Sequence, residues 1–327
     1  MSKKPLLSLP LLPACAAGSL PKQTELVELR YRVSKGIHQN SELERKEKLS
    51  TEVWIRQQEK LGLDVLVDGE MDRGDMVHYF SLRIDGFEEG GTVRCYGNRY
   101  YRRPVVKRKL EWKGGLISEG WKYAQRLTHK PVKAVLTGAY SLMEWSFNEF
   151  YDSREELCRD LTAILKKEVQ NLVDGGAKII QFDELALPAG RSDFAMARES
   201  IEEITRDIKA YFILRFGFGD LAAVWPSMRK LPVDNFHLEM ANSGFAGLPL
   251  LKKYPTNKDI SIGVIDSHNR TIETPRQLSD VVKKVLKAVP LKNLWLSTDA
   301  GLKTRTIDEA IGKLKALSQT AAKYRPR

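Results

Sequence analysis

The sequence predicts an α/β fold, a single (β/α)8 (TIM) barrel with a β-hairpin excursion after its second strand. Short apolar segments alternate with helical ones along the chain, the pattern of a parallel sheet whose crossovers are helices. Eight such segments match a closed barrel, and 327 residues with 42% hydrophobic content suit one. Without a polar linker or an internal repeat, residues 1–327 are predicted to form one domain.

The predicted elements follow from local pattern. The eight apolar strands are predicted at residues 11–17, 63–67, 132–137, 178–182, 211–215, 235–239, 260–264 and 293–297. Amphipathic segments predict helices at 42–61, at 153–175, before residue 209 and at 307–323. Alternating side chains over 94–109 predict the hairpin.

Composition narrows the class of protein. The formal charge is +11, but the 53 Lys and Arg residues are scattered, so we expect no nucleic-acid partner. Three separated cysteines predict no disulfide framework and fit a reducing cytoplasm. The apolar N-terminal stretch resembles a signal peptide, but Pro10 and Pro13 interrupt it, and we expect it to lead into the first strand. No apolar run is long enough to span a membrane, and we expect no membrane partner.

Polar residues follow the ends of the predicted strands, where this fold places its active sites. Glycine and backbone amides after the first strand suit a carboxylate. Acidic residues follow five strands and should converge on one mouth, which suggests a cationic ligand group, a metal or raised pKa values. These five are Glu70, Asp183, Glu239, Asp266 and Asp299.

Six motifs in order along the chain carry a family resemblance. They read GSLPK, DGEMDRGDMVHYF, TGAYSLMEWS, IIQFDELAL, GVIDSHNRTIET and LSTDAGLKTR. Each is weak alone, but together they resemble the catalytic domain of cobalamin-independent methionine synthase, in the superfamily shared with uroporphyrinogen decarboxylase. The resemblance covers nearly the whole chain.

The resemblance implies roles for individual residues. Gly18 and Ser19 match the loop that receives the amino-acid carboxylate, and Glu70 and Asp183 match the acids that hold the homocysteine ammonium group. His268 matches a histidine that acts as a general acid or base, although a structural histidine at a strand end is the alternative.

Trp145 follows the third strand, where it either stacks on a planar ligand such as a pterin or packs in the core. Asp266 and Arg215 are counted with His268 as catalytic candidates, and Glu239 as a substrate-binding one.

The chain departs from the family at the zinc site. The resemblance implies His-x-Cys at the fifth strand, Glu at the sixth and Cys at the eighth, but these positions hold Arg215, Gly217, Glu239 and Ala300. We therefore expect zinc to be absent. Alternate residues of one strand share a face, so His237 and Glu239 leave a rebuilt His/Glu/Asp metal site as an alternative.

Arg215 allows two interpretations. Its guanidinium either replaces the electrostatic role of the metal, binding a carboxylate or phosphate, or fills the vacated position as part of a salt bridge.

Three functions are compatible with the sequence. The first is a divergent, zinc-free methyl (one-carbon) transferase of amino-acid biosynthesis, acting on an amino-acid-like or thiol acceptor, with a folate or corrinoid methyl donor or a partner protein that carries the methyl group. The second is a metal-free lyase or decarboxylase in which Arg215 holds an anion, and the third is a non-catalytic ligand-binding homologue. A small-molecule substrate is expected in each case, and a homo-oligomer stays open.

The departure at the zinc positions makes a direct prediction. We expect the untagged protein, purified without added metal or chelator, to contain no stoichiometric zinc, because three of the four expected ligands lack a donor for it. Elemental analysis measures this. One tightly bound zinc near Glu239 would contradict the alignment.

Overall fold

The computed structural model describes residues 7–95, 99–187, 194–217 and 219–326, which form two compact units. The first unit comprises Met1–Asp72, Gly120–Ala134 and Asp234–Arg327, and the second comprises Arg73–Glu119 and Val135–Val233. Both units combine parallel strands with helices, which confirms the α/β class. One domain over residues 1–327 and a closed eight-stranded barrel stay predictions.

The bounds of the strands and helices are as follows. The strands are β1 (Ala14–Cys15), β2 (Ile84–Glu88), β3 (Thr92–Cys95), β4 (Arg99–Arg102), β5 (Val105–Trp112), β6 (Ala134–Thr137), β7 (Phe147–Asn148), β8 (Ile179–Asp183), β9 (Tyr211–Phe216), β10 (Asn235–Glu239), β11 (Asp259–Ile265) and β12 (Leu294–Thr298). The helices are α1 (Thr24–Ser34), α2 (Asn40–Leu61), α3 (His78–Ser81), α4 (Ser118–Arg126), α5 (Ala139–Glu144), α6 (Arg154–Asp174), α7 (Phe194–Thr205), α8 (Leu221–Met228), α9 (Leu248–Lys253), α10 (Pro275–Val285) and α11 (Ile307–Ala322).

Four strands of the first unit lie side by side in the order β1, β12, β11, β10, and each neighbouring pair is parallel. Their side chains are almost all buried, as expected for a parallel sheet covered by helices. Because the strands run the same way, the loops that follow them leave from one edge of the sheet. Gly18, Ser19, Asp266 and His268 lie on those loops, and Glu239 is the last residue of β10.

The second predicted strand, 63–67, is the main correction to the predicted elements. The structure gives isolated parallel bridges instead, from Val65 to Cys15 and from Leu66 to Val132. The side chain of Gln58 explains why the strand stops there. It accepts a hydrogen bond from the amide of Val67 (3.0 Å) and donates one to the carbonyl of Val67 (2.8 Å), so neither group bonds a neighbouring strand.

Three strands of the second unit lie in the order β9, β8, β6, and β8 and β9 are parallel with Asp183 opposite Arg215. The rings of Phe182 and Phe212 stack in the core of this unit with centroids 6.0 Å apart. Buried aromatic side chains on neighbouring strands fix the register of the pair. The register in turn places the acid of β8 beside the base of β9.

Antiparallel strands occupy the segment of the predicted hairpin. β3 pairs with β4, and β2 pairs with β5. Residues 96–98, which separate β3 from β4 in the sequence, lie outside the described residues. The excursion as a whole therefore stays a prediction.

Among the helices of the described residues, none combines the length and the apolar character that a membrane crossing needs.

Candidate functional site

Glu239 and His268 face each other at the ends of the neighbouring strands β10 and β11. His268 Nε2 lies 4.0 Å from Glu239 Oε1, and Asn242 Nδ2 donates to the same carboxylate oxygen at 3.2 Å. The side chain of Glu239 is 6% exposed and that of His268 is 28% exposed. The carboxylate and the Nε2 atom that faces it are therefore shielded from water, while the rest of the imidazole is partly exposed to a ligand. This arrangement is compatible with proton transfer.

Asp266 shapes the loop that carries His268. Its Oδ1 atom accepts hydrogen bonds from the amides of His268 (2.8 Å) and Asn269 (3.3 Å), the pattern of an Asx turn. This gives Asp266 a positioning contact with His268. The catalytic role predicted for Asp266 stays a prediction.

Lys313 of α11, whose side chain is fully buried, bonds the same loop. Its ammonium group donates to the carbonyls of Asp266 (3.0 Å) and Thr271 (2.6 Å) and to Glu273 Oε2 (2.8 Å), which uses all three of its protons. Glu273 Oε1 in turn accepts the amide of Asp266 (2.9 Å). The loop is thus fastened through main-chain atoms of Asp266 and Thr271 and through the side chain of Glu273.

Asp299, at the end of β12, is fully buried and organises the loop after β10. Its Oδ1 accepts the amides of Met240 (2.9 Å) and Ala241 (3.0 Å), and its Oδ2 accepts that of Asn242 (2.6 Å). A Cβ atom at Gly263 would lie 2.1 Å from Oδ1, so glycine leaves the space that the carboxyl group occupies. Burial raises the pKa of Asp299 to about 7 despite these three bonds.

Gly18 and Ser19 follow β1 and are buried, and Ser19 lies against the turn that follows β12. The carbonyl of Ser19 accepts the amide of Leu302 at 2.7 Å, and a Cβ atom at Gly301 would lie 2.0 Å from Ser19 Oγ. The predicted carboxylate loop is therefore fixed beside the end of β12. Its role in binding a carboxylate stays a prediction.

Glu70 lies beside that loop. The amide of Leu20 donates to the carbonyl of Gly69 (3.0 Å), and Lys22 Nζ donates to the carbonyl of Glu70 (2.8 Å). Glu70 has a φ of 57°, which is uncommon for a residue with a side chain, and its amide bonds Asp68 Oδ1. Burial lowers the pKa of Lys22 to about 8.

Asp183 and Arg215 form a buried salt bridge in the second unit. Arg215 Nη1 donates to Asp183 Oδ2 at 2.8 Å, and Gln181 Nε2 donates to Asp183 Oδ1 at 2.7 Å. Both carboxylate oxygens of Asp183 therefore have partners within the protein. This geometry supports the salt-bridge interpretation of Arg215.

Glu184, next to Asp183, is a buried residue to which no sequence motif assigned a role. Its carboxylate accepts the side chain and amide of Ser141 (2.7 and 2.9 Å) and the amide of Tyr140 (3.3 Å), at the N-terminus of α5. Burial raises its pKa to about 7. Gly138, the N-cap residue of α5, could have indicated this role. Glycine has no side-chain oxygen to bond the first amides of a helix, so in a buried helix another side chain has to bond them.

Trp145 and His237 differ in how far they are buried. Trp145 is half-buried at the C-terminal end of α5, a position that leaves both stacking and packing roles open. His237 is fully buried, and its Nε2 lies 2.9 Å from the carbonyl of Thr298. Within the described ranges, no three or more His, Cys, Asp and Glu side chains are grouped to hold a metal ion.

The residues at the positions that the resemblance assigns to zinc do not fit it. Arg215 is a cation in a salt bridge, and the side chains of Gly217 and Ala300 have no donor atom. Ala300 is buried, and its amide bonds Ser267 Oγ at 3.1 Å. Glu239 alone is a residue type that binds zinc.

The nine predicted site residues divide between the units. Gly18, Ser19, Glu70, Glu239, Asp266 and His268 belong to the first, and Trp145, Asp183 and Arg215 to the second. Convergence of all the acids on one mouth stays a prediction.

Comparison with known proteins shows which family the chain resembles. The model described as "Cobalamin-independent synthase, Catalytic domain" matches residues 12–323. A methionine synthase of Saccharolobus solfataricus is 33% identical over 310 residues, covering 94% of this chain and 93% of that protein. One of Sulfolobus acidocaldarius is 32% identical over 305 residues, covering 93% and 89%.

Solved structures of methionine synthases are also similar to this chain. The B12-independent methionine synthase of Shewanella sp. W3-18-1, in complex with selenomethionine, is similar with a TM-score of 0.85 and 26% identity, covering 95% of this chain and 97% of that one. A putative vitamin-B12-independent methionine synthase of Listeria monocytogenes has a TM-score of 0.81 at 20% identity, covering 98% and 100%, which bears on the fold alone.

Breaking the salt bridge of the second unit should destabilise the protein. We expect Arg215→Met to lower the free energy of unfolding by about 3–5 kcal/mol, because it leaves the buried carboxylate of Asp183 without its cation. Adding Asp183→Asn should recover a large part of that loss. Urea unfolding of both variants and of Asp183→Asn alone measures this, and no recovery in the double variant would contradict the pairing.

The raised pKa of Asp299 predicts a pH dependence. The folded state holds this proton more tightly than the unfolded state, so the stability it contributes is complete below about pH 4 and is lost as the pH rises through about 7. Between pH 5 and 6.5, Asp299→Asn should reduce the downward slope of the unfolding free energy by about 1.4 kcal/mol per pH unit.

Glu184→Gln is a parallel test in the other unit, because burial raises the pKa of Glu184 to about 7 as well. Each variant alone should reduce the slope of the unfolding free energy with pH by this amount, and the double variant should reduce it by the sum of the two. An unchanged slope in Asp299→Asn would show that Asp299 is ionised throughout this range.

Proposed function

The chain belongs to the cobalamin-independent synthase catalytic-domain family and is a methionine-synthase-like methyltransferase, and from this we propose that it methylates an amino-acid-like or thiol acceptor without the family's zinc. The observation that carries the proposal is the Glu239–His268 pair, in which a shielded carboxylate lies 4.0 Å from the buried Nε2 atom of a partly exposed imidazole. It stands in the same unit as the Ser19 and Glu70 loops. That unit therefore combines groups for an amino-acid acceptor with a group that moves a proton.

The acceptor would be held by its amino-acid end. We assign its carboxylate to the backbone of Gly18 and Ser19 and its ammonium group to Glu70, whose loop bonds that of Ser19 through Leu20. Asp183 is the weaker candidate for the ammonium group, because Arg215 and Gln181 occupy its oxygens.

The transfer breaks the S–H bond of the acceptor and the bond between methyl and donor, and it forms the S–methyl bond. The electron pair of the methyl–donor bond leaves on the donor, and the thiol proton has to depart. His268 would take up that proton and pass it to the leaving nitrogen of a folate, or to solvent when the donor is a corrinoid, while Glu239 orients the ring. A folate or a corrinoid, free or on a partner protein, is the proposed methyl donor.

The salt bridge weighs against a lyase or decarboxylase. Such an enzyme would need Arg215 to hold the substrate anion, but its guanidinium is already shared with Asp183. Activity measurements would identify a non-catalytic ligand-binding homologue, because such a protein would bind the acceptor without methylating it.

The His268 assignment predicts a selective loss of methyl transfer. With L-homocysteine as the acceptor and methyltetrahydrofolate or methylcobalamin as the donor, His268→Gln should lower kcat by about 10²- to 10⁴-fold, because the proton then has no positioned acceptor. Acceptor binding, measured by calorimetry, should change little.

His129→Gln is the matched control, since His129 is exposed on the surface of the same unit. Full activity in His268→Gln would remove the proton-transfer role. Acceptor binding without turnover by the wild type, with either donor, would favour a non-catalytic homologue.

A further inference from the structure

Exposed apolar side chains are concentrated on one short part of the chain. Of the eleven large hydrophobic side chains that are exposed in the described residues, five lie within 27–53. They are Val27, Tyr31, Ile37, Leu49 and Val53. Neighbouring exposed apolar side chains mark an interaction site more often than scattered ones do, and two of these five are neighbours on one helix.

Helix α1 carries two of these side chains on its outer face. Val27 and Tyr31, which are 53% and 62% exposed, are four residues apart and therefore lie one above the other on the helix. The adjacent side, about a quarter of a turn around the helix, is attached to the protein through the buried side chain of Leu26 and through Arg30, which forms a 2.8 Å salt bridge to Glu47 of α2. The outer face is thus not used to attach the helix.

The charges of α1 are divided along its length. Glu25 and Glu28 lie in its first half, and Arg32 and Lys35 lie at its C-terminal end. In the part of the chain that the structure describes, Glu28 and Arg32 have no ion-pair partner, so both charges are available to another molecule. Such a helix is complementary to a second copy of itself that runs in the opposite direction.

We propose that the outer face of α1 binds a second copy of this chain, with the two α1 helices antiparallel about a two-fold axis. Placing the axis between Val27 and Tyr31 brings Val27 of each copy against Tyr31 of the other. With a rise of about 1.5 Å per residue, Glu25 and Glu28 of one copy then face Arg32 and Lys35 of the other. An isologous contact of this kind is self-complementary.

The test is the mass of the full chain in solution. Light scattering coupled to gel filtration should give twice the chain mass, and Val27→Glu with Tyr31→Glu should raise the dimer dissociation constant by at least about a hundredfold. Glu28→Arg and Arg32→Glu, each alone, should raise it by about tenfold or more, because like charges then face each other. The combined Glu28→Arg and Arg32→Glu variant should return it to within about threefold of the wild-type value.

Leu82→Glu is the matched control, since Leu82 is 59% exposed and lies outside this stretch. It should leave the mass unchanged, and circular dichroism should show that every variant is folded. A wild-type monomer at micromolar concentration would overturn the proposal. So would a dimer that survives the Val27 and Tyr31 substitutions, or a charge-swapped variant that remains monomeric.

Discussion

The arrangement of the candidate site depends on the carboxyl group of Asp299, which is buried at the end of β12. Amides that leave the end of a strand lose their sheet partners, and when they are buried they must find another acceptor. Asp299 supplies it for the three residues that follow Glu239, of which Ala241 also bonds the carbonyl of Gly263 on β11. The position of the Glu239 carboxylate, and its distance to His268, therefore follow from a side chain on a different strand.

The acids at the strand ends perform different tasks. Asp299 and Asp266 bond main-chain amides and shape loops, and Asp183 shares its charge with Arg215. Glu239 and Glu70 are the two that lie beside groups proposed to meet the substrate. A cluster of carboxylates in the sequence is thus a mixture of structural and chemical residues, and the division is visible only in their hydrogen bonds.

Periodicity predicted the later strands well, because a buried parallel strand is a continuous apolar run with clear ends. The 235–239 segment is β10 without change, and 211–215 is one residue short of β9. The 63–67 segment has the same apolar character, but a side chain from α2 takes the backbone groups of Val67. No local pattern reveals that competition, because Gln58 looks like any other polar helix residue.

The positions of the candidate residues at strand ends were predictable, since motifs fix those positions, and their roles in a site stay predictions. The partners were not predictable, because they depend on distance in space. Arg215 was expected to matter, but its neighbour across the β8–β9 register decides what its charge does. Glu184 and Lys313 went unassigned, because a buried charge in a sequence is indistinguishable from an exposed one.

Lys313 has a consequence for how this loop can change over evolutionary time. Its ammonium group and the Glu273 carboxylate bond the backbone of the 266–273 loop at Asp266 and Thr271, and main-chain atoms are the same whatever side chains they carry. Substitutions at 268–270 therefore alter the groups presented to a ligand without removing these bonds. The side chains of the loop can therefore change while its backbone keeps its position. In this way a family can diverge in chemistry while its fold stays constant.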